Sequence, residues 1–140
     1  MNAATGQYLK NGRLSDVISL IKILAFDNWI YHPASELDKK LQRPSGGESC
    51  WLTIAKQHPE FFRITITDDE KVALTARAIH YTGDSNNQKP LSPAETASLL
   101  NLAVTLQDCE LRRRQRWIPL ASLIIGLLTL TAVVATGSLF

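Results

Sequence analysis

Residues 61–76 read FFRITITDDEKVALTA, and this stretch decides the fold that the sequence predicts. In its first half, apolar side chains alternate with Arg63 and Thr65, which is the period-two pattern of a half-buried strand. The polar run TDDEK supplies a turn, and VALTARAIHY then returns with apolar residues on one face. These apolar positions are Phe62, Ile64 and Ile66 before the turn and Val72, Leu74 and Ala76 after it. The stretch therefore predicts a β-hairpin.

Upstream, an amphipathic helix is predicted from Leu14 onward, in LSDVISLIKILAFDN. Its apolar residues recur at spacings of three and four, and Leu20 and Ile23 widen the apolar face. The recurring positions are Leu14, Val17, Ile18, Ile21, Leu24 and Ala25. A short extended piece, WIYH, follows this helix. We therefore expect one helix and then a short strand at the start of the domain.

Two further helices are predicted between that short strand and the hairpin. Pro33 opens the first, PASELDKKLQ, because proline is pre-set for the first helical position. The run RPSGG then breaks the chain. Ser45 or Ser49 is expected to cap the next helix, roughly ESCWLTIAKQ, which ends at Pro59.

The order helix, short strand, helix, helix and β-hairpin is typical of a winged helix-turn-helix domain. The predicted fold class is therefore α+β, with a winged helix-turn-helix-like domain of three helices plus a β-hairpin in residues 14–81. A flexible N-terminus is expected at residues 1–13. Residues 82–91 have the polar, Gly- and Pro-containing composition of a linker.

A long membrane-proximal helix is predicted over residues 92–116. Ser92 is expected as its N-cap, with Pro93 in the first turn and Glu95 completing a capping box. An apolar stripe on this helix consists of Leu99, Leu102, Leu106 and Cys109. Two interpretations of the stripe remain open: docking onto the preceding domain, or self-association of the helix.

The segment 117–140 is predicted to be one transmembrane helix. Its 24 residues include no Asp, Glu, Lys, Arg or His, and about 20 apolar residues suffice to span the hydrocarbon core as a helix. Arginines crowd its N-terminal side, so the residues before it are expected in the cytosol. The expected membrane-interface residues are Arg112, Arg113, Arg114, Arg116 and Trp117. Ser122 and Gly126 form a small-xxx-small pair that permits close helix packing.

Three motifs carry a resemblance to a known group of proteins: HPEFFRIT, KPLSPAE and RRRQRWIPL. From about Leu14 to Leu120, the chain resembles small, uncharacterised bacterial membrane proteins with an N-terminal winged-helix-like domain and a C-terminal transmembrane anchor. The resemblance implies a single-pass protein of the bacterial inner membrane with its N-terminal domain in the cytosol, and it supplies no catalytic residues. The chain departs from the group in having one Trp at the membrane boundary instead of two, and a shorter segment after the hairpin.

The sequence predicts neither an enzyme nor a metal or cofactor site. Its three histidines, His32, His58 and His80, lie in no HExxH arrangement, and the sequence has no CxxC motif. Ser49 beside Cys50 has no identifiable base, and helix capping accounts for the serine. We therefore expect a non-catalytic protein.

The residues before the predicted membrane helix are called the head below. Their distribution of charge favours protein over DNA as the partner. Residues 1–111 hold 11 basic and 13 acidic residues, a net charge of −2. The third-helix region 46–60 is net acidic, and the hairpin tip carries Asp68, Asp69 and Glu70. Most non-specific DNA affinity comes from neutralising phosphates, so this head lacks the main attractive contribution.

The expected function is that of a membrane-anchored protein-interaction module, an adaptor or accessory subunit of a membrane complex. Its expected partners are the lipid bilayer and either another protein or a second copy of the chain, with nucleic acid disfavoured. The alternative is a membrane-tethered winged-helix regulator that binds DNA. That alternative would need convergence of the cations Lys39, Lys40, Arg43 and Arg63.

Overall fold

The computed structural model of the chain describes residues 7–65, 69–79, 89–115 and Ile125. These residues form an α+β structure with a small three-stranded antiparallel sheet and one long helix near the C-terminal end. In chain order the elements are a 3₁₀ turn at Gln7–Leu9, α1 at Arg13–Phe26, β1 at His32–Pro33, α2 at Ala34–Lys40, α3 at Trp51–Gln57, β2 at Phe62–Thr65, β3 at Lys71–Leu74, α4 at Thr75–Ala78 and α5 at Pro93–Gln115. The order of α1 to β3 is the one that the sequence predicts.

The sheet has the strand order β1-β3-β2, so the last strand lies in the middle. In the hairpin, Phe62 pairs with Leu74 and Ile64 pairs with Val72. On its other edge β3 pairs with β1, where His32 is opposite Val72. The predicted hairpin is confirmed. A short strand also lies before α2, but at His32–Pro33, so it shares only His32 with the predicted extended piece WIYH.

The second hairpin strand is shorter than the alternation predicts. It ends at Leu74, and Ala76 lies in α4, so the placement of Ala76 on a strand face is wrong. The turn into α4 begins where the N–H of Thr75 donates to the carbonyl of Phe61 at 2.8 Å. The helical turn brings the buried side chain of Arg77 to the carbonyls at the end of α1. Those contacts outweigh a period-two pattern that is only three apolar residues long.

Two helix starts also differ from the sequence prediction. Pro33, the predicted first helical residue, pairs in β1 and is the N-cap of α2, so this helix begins one position later, at Ala34. Helix α3 begins at Trp51 with Cys50 as N-cap, so neither Ser45 nor Ser49 caps it within the described chain. Acidic side chains take the available amides instead: the N–H of Trp51 donates to Asp38 at 3.2 Å.

The apolar face of α1 is the centre of the core. Val17, Leu20 and Ile21 have no exposed surface, and they contact residues from α3, the sheet and α5. The other buried members of this cluster are Tyr8, Leu24, Ala25, Leu37, Trp51, Ile54, Ala55, Phe61, Phe62, Val72, Leu74 and Ala103. At about 25 cal/mol for each Å² of apolar surface removed from water, such burial is the main favourable contribution to folding.

Helix α5 begins with the predicted capping box. The N–H of Ser92 donates to the Glu95 carboxylate at 2.8 Å, and the N–H of Glu95 donates to the Ser92 hydroxyl at 3.3 Å. The helix packs along α1, with Thr96 and Ala103 buried. This face of α5 is therefore docked onto the head, as in the first of the two interpretations.

The predicted stripe on α5 only partly coincides with the docked face. Leu99 and Leu106 pack against the core cluster, as does Leu100. Leu102 is 44% exposed and Cys109 is also exposed, so both lie beside the docked face. A role for these two residues in self-association remains a prediction. The predicted stripe is rotated around the helix axis away from the docked face, because Ala103 and Thr96, which are buried there, are weak apolar signals in a sequence.

Candidate functional site

Two surfaces of the head are candidate functional sites, and they lie at opposite ends of α1. Helix α5 runs antiparallel to α1, because the N–H of Leu91 donates to Ala25 at 3.0 Å while Glu110 accepts the N–H of Tyr8 at 3.2 Å. With 23 residues, α5 is about 34 Å long and extends past the N-terminal end of α1. Its last turn carries the arginines. The C-terminal end of α1 thus faces away from them.

A buried arginine closes the C-terminal end of α1. The Nη1 atom of Arg77 donates to the carbonyls of Leu24, Asp27 and Trp29 at 2.7, 2.8 and 3.0 Å. The last carbonyls of a helix have no partner within the helix, and a cation is favourable there. Burial lowers the pKa of Arg77 from its ordinary value, yet guanidinium groups stay charged in proteins. The contacts hold α4 against the turn that follows α1.

Exposed apolar side chains lie around this closed end. Phe26 and Trp29 are each 55% exposed and Ile79 is 67% exposed. Because Arg77 bonds to carbonyls on both sides of Phe26 and lies two residues from Ile79, all three belong to the same end of the head. We call these three residues the Trp29 surface. Clustered exposed aromatic residues are typical of protein-interaction sites, whereas isolated ones are common on any surface.

Ion pairs flank the Trp29 surface. Lys40 contacts Asp27 at 2.9 Å and Glu36 at 2.7 Å. Partial burial acts to raise the pKa of Asp27, but the hydrogen bonds from Lys40 and the N–H of Trp29 outweigh it and hold that pKa below its ordinary value. The Lys40 hydrogen bond likewise lowers the pKa of Glu36. A polar rim around an apolar centre is the usual anatomy of an interface.

A second buried arginine lies at the other end of α1. Arg13 has no exposed surface, and its Nη2 donates to Glu48 at 2.6 Å. Glu48 also accepts from Lys10 at 2.7 Å and from Nε2 of Gln57 at 3.3 Å. The hydrogen bonds from Lys10, Arg13 and Gln57, in that order, lower the pKa of Glu48 to about 2. Asp16 completes this end by accepting backbone N–H groups from the loop before α3.

A chain of hydrogen bonds next to this arginine joins α3 to α5. The buried imidazole of His58 donates from Nδ1 to Glu60 at 2.9 Å, and the hydroxyl of Tyr8 donates to the same carboxylate oxygen. Burial acts to raise the pKa of Glu60, but these two donors outweigh it and lower that pKa. Burial first, and then the bond to Glu60, raises the pKa of Tyr8. Glu60 is therefore the ionised acceptor, and Glu110 holds the backbone of Tyr8.

These residues line an open groove of about 840 Å³ between the end of α3 and the end of α5. The groove, called the α5 groove below, is lined by Gln7, Tyr8, Thr53, Lys56, Gln57, His58, Pro59, Glu60, Leu106, Cys109, Glu110 and Arg113. Three buried polar atoms of these lining residues find no hydrogen-bond partner among the described residues: Oε1 of Gln7, Oε1 of Gln57 and Nε2 of His58. Buried polar groups normally have partners, so this concentration is unusual.

The face that a winged helix would present to DNA is poorly suited to phosphate. Lys56, the basic residue of α3, pairs with Glu70 at 2.7 Å. The groove beside α3 has α5 as its opposite wall, which restricts the space for a duplex. Among the cations named for the DNA alternative, Lys40 is engaged by two carboxylates. Asp68 of the predicted acidic tip lies outside the described residues.

The described residues offer little for catalysis or metal binding. In residues 7–65, 69–79 and 89–115, no group of three His, Cys, Asp or Glu side chains could hold a metal ion. Cys50 is half-buried, and its Sγ is 3.2 Å from the hydroxyl of Thr53. That hydrogen bond lowers the pKa of Cys50. His80 lies outside the described residues.

The predicted membrane-interface residues are divided by the limit of the described chain. Arg112, Arg113 and Arg114 are exposed at the end of α5. The remaining residues predicted for the interface or for membrane packing, Arg116, Trp117, Ser122 and Gly126, lie outside the described residues. Within the described part of the chain, no helix is long and apolar enough to cross a membrane. Of the predicted span 117–140, the structure describes only Ile125.

No family model, curated protein or solved structure matches this chain.

Three features of these surfaces do not follow from the sequence pattern: the exposure of Phe26, the role of Arg77 and the α5 groove. Phe26 follows the last core residue of α1 by one position, which rotates it about 100° from the apolar face. That offset is a usable signal that Phe26 points away from the core. The role of Arg77 left no such signal, because the alternating pattern around it indicated a strand. The α5 groove was also missed, since it depends on how α5 docks.

Proposed function

We propose that this chain is a non-catalytic, membrane-anchored protein-interaction module, acting as an adaptor or accessory subunit of a membrane complex. Residues 117–140 form the anchor, and the head docks its protein partner through the Trp29 surface. The observation that carries the proposal is the position of that surface. Three exposed apolar side chains lie at the end of the head opposite to the exposed arginines of α5.

Membrane placement would leave the Trp29 surface accessible. Arginines at the end of α5 favour anionic headgroups, each by about 1 kcal/mol near the surface. The antiparallel packing of α1 and α5 then points Phe26 and Trp29 toward the cytosol. A partner that covers both rings would remove large apolar areas from water, which is how aromatic residues come to dominate binding energies.

The finer fold within the proposal is a winged helix-turn-helix-like domain. Its support is the sequence of elements from α1 to β3 and the sheet order β1-β3-β2. Domains of this kind bind protein as well as nucleic acid, and function has to be argued from the site and not from the fold. Here the exposed apolar end supplies the site.

The same fold supports one alternative, a membrane-tethered regulator that binds DNA. Against it stand the Lys56–Glu70 ion pair and the acidic balance of the head. Specific DNA binders usually make several cationic phosphate contacts, and each strengthens the salt dependence of binding. Sub-micromolar, sequence-dependent binding of duplex DNA by the full-length chain would favour this alternative over the adaptor.

The adaptor proposal is tested by recovering the full-length chain from host membranes in mild detergent. The wild type should bring down one protein in about 1:1 stoichiometry, and the double variant Phe26→Ser, Trp29→Ser should lose it because the docking rings are gone. The matched control is Leu102→Ser, Leu111→Ser, which removes two exposed apolar side chains of α5. Recovery of the wild-type chain alone, or equal loss in both double variants, would contradict the proposal.

A further inference from the structure

The buried imidazole of His32 lies against the turn that carries Trp29. His32 is 1% exposed and pairs with Val72 in the sheet, so its backbone is fixed. Its Nε2 atom is 3.1 Å from the carbonyl oxygen of Trp29. A carbonyl can only accept, so the proton of the neutral ring is assigned to Nε2, and Nδ1 is left with a lone pair. This Nδ1 atom is buried and finds no hydrogen-bond partner among the described residues.

A carboxylate faces that lone pair. Oε2 of Glu36 is 3.8 Å from Nδ1 of His32, which is too far for a hydrogen bond. With the neutral ring both atoms are acceptors, so neither can satisfy the other. A second carboxylate oxygen, Oδ2 of Asp27, is 3.8 Å from Nε2. Each ring nitrogen therefore faces acceptors, and only the doubly protonated ring has a donor for both sides.

The other charged side chains on the elements around the ring do not supply the missing donor. They are Lys40 of α2, Glu70 and Lys71 at the start of β3, and Arg77 of α4.

Lys40 contacts Glu36 through Oε1 at 2.7 Å, which leaves Oε2 for a further donor. Arg77 donates to backbone carbonyls, including that of Trp29 at 3.0 Å. Glu70 pairs with Lys56 at 2.7 Å. Lys71 precedes Val72, the sheet partner of His32, and successive side chains of a strand point to opposite faces. A proton on Nδ1 is therefore the donor that this arrangement lacks.

We propose that His32 is a proton-operated clamp on the Trp29 surface, in which protonated Nδ1 donates to Glu36. The oxygen Oε2 of Glu36 has to move by about 1 Å to reach hydrogen-bond distance, and its side chain is 41% exposed and free to do so. The backbone of Trp29 is already held on both sides, because its N–H donates to Asp27 at 3.1 Å and its carbonyl accepts from His32. Closing the last gap joins these contacts through Lys40 into one network between α2 and the turn.

The clamp responds to pH in the range where histidine changes charge, about pH 5 to 8. Both carboxylates are ionised there: burial acts to raise the pKa of Asp27, but its donors outweigh it and lower that pKa, and the Lys40 hydrogen bond lowers the pKa of Glu36. The clamp is closed while the ring is charged and opens as the pH rises. A turn that is already ordered costs less to immobilise on binding, so the partner is bound more tightly at the acidic end. This regulation rests on the proposed docking role of the Trp29 surface, whereas the clamp itself does not.

The clamp is tested without any partner by NMR of the full-length chain in detergent. The ring ¹⁵N shifts of His32 report its protonation, and solvent exchange of the Trp29 N–H, divided by its intrinsic rate, reports the opening of the turn. Protection of this N–H should be about tenfold higher with the charged ring than with the neutral ring, since opening then also breaks a hydrogen bond between two charged groups. A ring that stays neutral down to pH 5, or protection that does not rise when the ring is charged, would overturn the proposal.

Variants assign the response to the clamp. His32→Gln keeps a side-chain donor for the Trp29 carbonyl but cannot change charge, so it should abolish the pH dependence. Glu36→Gln keeps an acceptor but removes its charge, and it should reduce the tenfold change to about threefold or less. Because Glu36 is a surface residue, this variant also covers the case in which His32→Gln does not fold. The matched control is His58→Gln, which replaces the buried histidine at the other end of α1 and should leave the response of Trp29 intact. Equal loss in His32→Gln and His58→Gln would contradict the clamp.

The regulatory role is tested by repeating the partner pull-down at pH 5.5 and pH 8 with limiting protein. Recovery of the partner by the wild type should be higher at pH 5.5 by up to the same tenfold factor, and it should not depend on pH in His32→Gln. Equal recovery by the wild type at both pH values would overturn the regulation and leave the adaptor role standing. Recovery of no partner at either pH would contradict the adaptor role, and the exchange of the Trp29 N–H would still decide the clamp.

Discussion

The two ends of α1 are each closed by a buried arginine, but only one of the two arginines is well matched by acceptors. Arg77 donates to three carbonyls within 3.0 Å. Arg13 has one charged partner, Glu48, and its Nε and Nη1 atoms find no partner among the described residues. The C-terminal end therefore stabilises the fold internally and carries exposed apolar side chains outside. The N-terminal end leaves polar groups available and opens onto a groove.

The difference predicts that substitutions at the two ends lower the stability of the fold by different amounts. Unpaired buried polar groups each cost about 1–3 kcal/mol, so the N-terminal end retains such a cost at the Nε and Nη1 atoms of Arg13. At the other end, three carbonyls accept from Arg77 and the exposed side chains are apolar. Stability measurements can therefore separate the two ends before any ligand is identified.

The largest effect is expected for Arg77→Met. The substitution keeps the apolar stem but removes the donor shared by three carbonyls at the end of α1. It should lower the free energy of unfolding by about 3–4 kcal/mol, since hydrogen bonds to charged groups are worth about 1.5–3 kcal/mol each and are not additive. Thermal unfolding of the full-length chain in detergent, followed by circular dichroism, measures it.

Arg63→Met is the matched control, because Arg63 is exposed on β2 and should change the stability by less than about 0.5 kcal/mol. A loss for Arg77→Met that is no larger than the control would contradict the view that Arg77 closes the end of α1.

A smaller effect is expected at the groove end for Asp16→Asn. The Asp16 carboxylate accepts the N–H groups of Ser45 and Gly46, each at 2.8 Å. An asparagine has one acceptor oxygen, so one amide loses its partner, at a cost of about 1–2 kcal/mol. Urea unfolding of the full-length chain should show the loss, with Asp108→Asn on the exposed face of α5 as control. A loss equal to that of Arg77→Met would remove the proposed contrast between the two ends.

Much of the fold was predictable from the sequence because its signals are local. The face of α1, the hairpin and the Ser92–Glu95 capping box each depend on residues close in the chain, and all three are present. The errors have a common cause. Pro33, the start of α3 and the end of β3 were decided by partners distant in sequence: Lys71, Asp38 and the carbonyls bound by Arg77.

The candidate sites were less predictable than the fold. The arginines at the end of α5 can be recognised from the sequence, because a cluster of one charge is visible there. To predict the Trp29 surface, one must know that Phe26 and Ile79 lie at the same end of the head. To predict the α5 groove, one must know where α5 docks. Both depend on contacts between residues more than 50 positions apart, such as Arg77 with Leu24, which no local pattern encodes.

The smallest effect is expected from acid, and it compares single carboxylates at the two ends. The folded chain holds the pKa of Glu48 at about 2, against an ordinary value of 4.5, because Lys10 and Arg13 donate to it. A lowered folded-state pKa contributes stability that is complete above the unfolded-state pKa and is lost as the pH falls through the folded-state value. The contribution of Glu48 should therefore disappear between about pH 4.5 and pH 2, and Glu48→Gln should flatten the fall in melting temperature over that window.

Glu36 is the counterpart at the Trp29 end, where the hydrogen bond from Lys40 lowers its pKa. Because Glu48 has three donors and Glu36 has one lysine partner, Glu36→Gln should flatten the acid response less than Glu48→Gln. Both carboxylates are partly exposed, so salt screens their ion pairs and the difference should shrink as ionic strength rises. Melting temperatures of the two variants and the wild type, taken from pH 2 to pH 6 at low and high salt, decide the comparison. A larger change for Glu36→Gln would place the stronger ionic contribution at the Trp29 end and reverse the contrast drawn between the two arginines.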